Sequence, residues 1–123
     1  MPRRVRDDRG ALSASVAVLA AVLALFFAVV QISLWFYGRS VATTAARHGL
    51  DAARIESGSA ADGQVTALEF LAQAGGVTDY SVGATRSVTE VEMTITGEAI
   101  TVLPFFDVPI TVTIDGPVER FVE

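Results

Sequence analysis

The sequence predicts an α+β fold: a long N-terminal transmembrane helix continuing into a small extracytoplasmic head with a short helix and a three-stranded antiparallel sheet. Three observations predict it. Ala11 to Tyr37 is a run of 27 residues without a charge, in which only Ser13, Ser15, Gln31 and Ser33 are polar. No proline interrupts Ala11 to Glu56. From Val77 onward apolar and polar residues alternate with period two, as in half-buried strands.

The apolar run comes first. About 20 apolar residues cross a bilayer core, so this run is long enough even when tilted. The rest of a 123-residue chain is too small to wrap it in a soluble core, so it reads as a membrane span. Arg3, Arg4, Arg6 and Arg9 precede it, against Asp7 and Asp8. Basic residues set topology and acidic ones count little, so the N-terminus is expected in the cytoplasm and the head outside, with Arg39 a weaker counter-signal. Trp35, Phe36 and Tyr37 occupy the place of an interfacial aromatic belt. A removable signal peptide would have an apolar region of only about 7–15 residues before a small-residue cleavage site. Ser40-Val41-Ala42 resembles such a site, but it follows directly on aromatics and Arg39. The expected organisation is therefore a basic leader (1–10), a span (11–37), a helical extension (38–56) and a small α+β head (57–123).

Gly38 to Glu56 stays rich in helix formers, so one helix of about 45 residues is expected to continue out of the bilayer. Asp51 can pair with Arg54 at i,i+3 or with Arg47 at i,i−4, each pair contributing a few tenths of a kcal/mol. Small residues mark one stripe of this helix: Ala14, Ala17, Ala21, Ala24, Ala28, Gly38, Ala42, Ala45, Gly49 and Ala52. The steps alternate between three and four, with Gln31 and Trp35 filling the two remaining positions. Ten of the twelve Ala and Gly residues between Ala14 and Ala52 fall on it, so composition does not explain their phase. A period of 3.5 residues is the seam of a left-handed helix pair, and small residues there let backbones approach closely.

Ser57 to Gly63 reads as a break. Gln64 to Ala74 reads as a second helix, with Asp62 as its cap and Gly75-Gly76 as its stop. Strands are expected at about 79–86, 90–102 and 109–118, one face of the sheet covered by the two helices. Leu103-Pro104-Phe105-Phe106-Asp107 lies between the last two strands. Phe105 and Phe106 form either an exposed contact loop, for a partner or the membrane surface, or a plug folded back into the small core.

Chemistry is sparse. The chain has no cysteine and no lysine, and His48 is its single histidine. His48 lies one turn before Asp51, but no nucleophile motif accompanies it, and the acidic residues lack metal-ligand spacing. No cofactor or metal is expected, and an enzyme is disfavoured. The net charge is −5 and no basic patch lies outside the leader, so nucleic acid is not an expected partner.

The leader ending in Asp8-Arg9-Gly10, the long apolar helix, and the stretch Tyr37-Gly38-Arg39…Ala45-Ala46-Arg47-His48-Gly49…Ala52-Ala53-Arg54 together resemble the TadE-like family. These are minor pseudopilins of tight-adherence (Flp-type) pilus systems, within the type IV pilin superfamily. The resemblance covers about residues 8–54, and Pro109 to Val122 resemble the family more loosely. It implies a membrane-anchored assembly component whose partners are lipid, other pilin-like or TadE/TadF-like subunits, and assembly-platform proteins. It also implies cutting by a prepilin-type peptidase between Gly10 and Ala11. The family pattern has a glutamate at the fifth mature position, where this chain has Ser15. Ser15 supplies no counter-charge for a neighbouring subunit's terminal amine. Either the chain is cut but does not pack in a filament body, or it is an unprocessed relative. Two rival readings remain: a single-span protein presenting a small non-catalytic binding domain at the cell surface, and a hydrolase using His48.

Overall fold

The computed structural model describes residues 2–55, 57–103 and 105–119, with side chains from Gly10 onward. The elements run α1 (Pro2–Arg54), α2 (Ala60–Ala74), β1 (Val77–Arg86), β2 (Glu90–Ala99) and β3 (Pro109–Pro117). The strands form an antiparallel meander in the order β1-β2-β3. Both helices lie on one face of this sheet, α1 against β2 and β3, α2 against β1. The α+β class expected from the pattern is the one observed.

α1 extends for about 80 Å at 1.5 Å per residue. Its helix already includes the leader backbone from Pro2, where the expected start was Ala11. A proline at the first helical position loses no hydrogen bond, and nothing between it and the apolar run breaks the helix. The outer half of α1 is the spine of the head. Ala42, Ala45, Ala46 and Ala53 are fully buried there, beneath Met93, Ile95 and Ile110 of the sheet and Leu71 of α2. Small residues on the helix face large ones on the sheet, so the layers can sit close.

α2 begins four residues earlier than its hydrophobic pattern suggested, and Asp62 is not its cap. Ser59 is the N-cap: its hydroxyl accepts from the Asp62 N–H (3.1 Å), and the Asp62 carboxylate accepts from the Ser59 N–H (3.0 Å). This reciprocal capping box satisfies two otherwise orphaned donors and moves the helix start into what reads as a break.

β1 begins at Val77 rather than 79 because a bulge lies inside it. The register slips by one residue between Thr78 and Ser81, and Asp79 sits at φ +48°. The slip changes phase, so that Val77 and then Tyr80, Val82 and Ala84 all face the helices. β2 stops at Ala99, short of the expected 102, because the Ala99 N–H turns to the Val108 carbonyl (2.8 Å) and closes a loop. The opposite sheet face is polar, with hydroxyl pairs Ser81–Thr96 (2.6 Å) and Thr94–Thr113 (3.3 Å) across the strands. The end of α1 is tied to β3: the Arg54 guanidinium donates to the Pro117 carbonyl (2.8 Å) and the Arg54 carbonyl accepts from the Glu119 N–H (2.8 Å).

Candidate functional site: the packing and membrane surfaces of the long helix

The small-residue stripe divides between two environments. Gly38, Ala42, Ala45 and Gly49 are buried against the chain's own head, and Ala52 is half-buried. Ala14, Ala17, Ala21, Ala24 and Ala28 are exposed. The stripe's two larger residues lie where the environments meet. Trp35 packs against the edge of the core. The Gln31 side chain reaches the β2–β3 loop, donating to the Ile100 carbonyl (3.1 Å) and accepting from the Val102 N–H (3.0 Å). Gln31 thus ties the apolar run to the head.

α1 and α2 approach each other closely at Gly49. A Cβ there would lie 2.7 Å from the Gly63 carbonyl oxygen, and a Cβ on Gly63 would lie 2.8 Å from the Gly49 carbonyl oxygen. Two helix backbones therefore meet directly, with Ala53 and Ala67 continuing the contact one turn on. The partner motif on α2, Gly63-x-x-x-Ala67, was hidden in the sequence because Gly63 reads as a turn residue. Its four-residue spacing to Ala67 was the available signal.

The membrane-facing half carries the opposite character. The helix from Gly10 to Arg54 contains a window of mean hydropathy 2.6, none of it buried. Leu12, Val16, Leu19, Leu25 and Phe26 are each at least 60 % exposed. A soluble monomer rarely displays so large an apolar surface, and lipid is its natural cover. This is a single-pass membrane anchor. Gly10 and Ala11, the candidate cleavage pair, are both exposed on α1, and Ser15 lies in a shallow exposed groove with Ala14, Val18, Leu19 and Val22.

Phe105 and Phe106 do not plug the core. They are 90 % and 59 % exposed. The core they would have filled is already occupied by Ile110, Val112 and Met93 from the strands themselves. His48 is exposed and its ring lies 4.9 Å from that of Phe70, while Asp51 pairs with Arg54 (3.6 Å). Among the described residues, no group of three His, Asp or Glu side chains is placed to hold a metal.

Comparison with known proteins turns on α1. Residues 16–51 match the family model described as TadE-like protein. This stretch is TadE-like. It runs from Val16 in the bare apolar half to Asp51 in the packed half, so the TadE-like segment contains both the membrane surface and the helix face that holds the head. Gly10, Ala11 and Ser15 precede it. No curated protein and no solved structure matches the chain.

Proposed function

We propose that the chain is a pseudopilin-like subunit of a tight-adherence pilus or related secretion assembly, working by helix packing in the bilayer and by contacts of its head. The observation that carries this reading is the bare half of the TadE-like helix, whose Ala stripe is exposed. In lipid there is no hydrophobic force between helices, so close backbone approach over small residues is what drives their association. The partners are other pilin-like or TadE/TadF-like subunits and assembly-platform proteins. The four leader arginines favour a cytoplasmic N-terminus and an extracytoplasmic head. In this orientation the bond between Gly10 and Ala11 lies on the cytoplasmic side, where a prepilin-type peptidase would remove the leader. With Ser15 in place of a glutamate, a position at the tip or base of an assembly suits the chain better than repeated packing in a filament body. The role is structural and uses no cofactor.

The test is Ala21→Leu combined with Ala24→Leu. Co-purification with pilin-like partners from native membranes is expected to fall several-fold while membrane insertion is retained. Unchanged co-purification contradicts the packing role, and would be the result for a simple anchor.

A further inference from the structure

The β2–β3 loop lies at the end of the head from which the apolar half of α1 emerges. Successive positions along α1 set the axis. Arg54 meets Pro117, Gly49 meets Met93, Gly38 lies against Ile110 and Ala99, and Gln31 holds Ile100 and Val102. Moving from Ala99 to Val102 therefore carries the chain toward the membrane half of α1, by about 10 Å along the helix between Gly38 and Gln31. The loop then turns, with the Phe106 N–H donating to the Leu103 carbonyl (3.3 Å), and returns to the Ala99–Val108 closure.

The level of this loop relative to a bilayer follows from α1. Among the described residues no hydrogen bond joins Ala11 to Val30 of α1 to the head, a length of about 30 Å, which is the thickness of a bilayer hydrocarbon core. Gln31 is then at the boundary, and so is the loop it holds. That loop exposes Ile100 (42 %), Val102 (36 %), Phe105 (90 %) and Phe106 (59 %). Phe36 and Tyr37 are exposed on α1 just above the same level. Aromatic rings concentrate at membrane interfaces, and burial of a phenylalanine from water contributes about 1.5–3 kcal/mol.

We propose that the β2–β3 loop is a second membrane contact: Phe105 and Phe106, supported by Ile100 and Val102, seat in the leaflet from which α1 emerges. Gln31 is the strut that fixes the loop at that depth. The head is thereby attached to the bilayer at two points and held against tilting about the exit of α1. The contact rests on the reading of α1 as a span and on nothing about pilus assembly.

The absence of cysteine makes the test direct. Single variants Phe105→Cys, Phe106→Cys, Leu23→Cys and Thr113→Cys of the full chain are spin-labelled and reconstituted alone in phosphatidylcholine–phosphatidylglycerol vesicles. Accessibility to oxygen and to a water-soluble nickel complex is then measured. The expected oxygen-to-nickel ratio at 105 and 106 is several-fold above that at 113 and approaches that at 23. A lipid-like Leu23 label with water-like labels at both 105 and 106 overturns the loop contact and leaves the span intact. A water-like label at Leu23 overturns the span itself. Labels at 105 and 106 shielded from both reagents would show a second copy on the loop, and likewise overturn the lipid contact.

Discussion

Gly49 and Gly63 meet through their backbones, and each forbids a side chain on the other. A Cβ at either position lies under 3 Å from the opposing carbonyl oxygen, an atom that does not move without shifting a helix. Gly63→Ala is therefore expected to destabilise the head by about 1–3 kcal/mol, the usual cost of overpacking. Thermal unfolding of the solubilised chain, followed by near-ultraviolet circular dichroism, checks it. An unchanged transition would mean the two helices are not in contact. Gln31 illustrates the other residue-scale lesson. From sequence it is a polar interruption in an apolar run; in the fold its amide caps two backbone groups of a loop 69 and 71 residues away. No local pattern announces a contact of that separation.

α1 is one continuous helix serving two surroundings. Its continuity and apolar character were legible because an uninterrupted run of this size has few alternatives, though not its start at Pro2, and the strands were legible from their alternation. The ends of elements were less so: the capping box at Ser59 looks like a turn until its reciprocal bonds are seen, and the β1 bulge shifts a phase that simple alternation assumes constant. The sequence pattern suggests one continuous stripe; in the fold its outer half is buried against the chain's own head and its apolar half is exposed. A 3.5-residue stripe drifts about 20° per heptad on a straight helix, so its two halves do not face quite the same way. The division gives a prediction at the scale of the element. Ala45→Leu is expected to lower head stability by about 1–3 kcal/mol, because Ala45 is fully buried. Ala21→Leu with Ala24→Leu is expected to leave the head's unfolding transition unchanged. Equal effects from the two sets, in thermal unfolding monitored through the head, would contradict the division.

The whole molecule combines a membrane rod with a small head whose helices lie on one face of the sheet and whose other sheet face is polar. Phe105 and Phe106 show where sequence reasoning stops: an aromatic pair in a loop suits a core plug as well as a surface contact, and only the occupancy of the core by the strands decides. The proposed place in a pilin-type assembly depends most on what happens at Gly10, which precedes the TadE-like segment. The most direct measurement is the intact mass and N-terminal sequence of the protein extracted from its native membrane. The expected chain begins Ala-Leu-Ser-Ala-Ser at Ala11, with the whole apolar helix retained. A chain that keeps Met1 or Pro2 would contradict the pseudopilin-like reading and leave a simple membrane anchor.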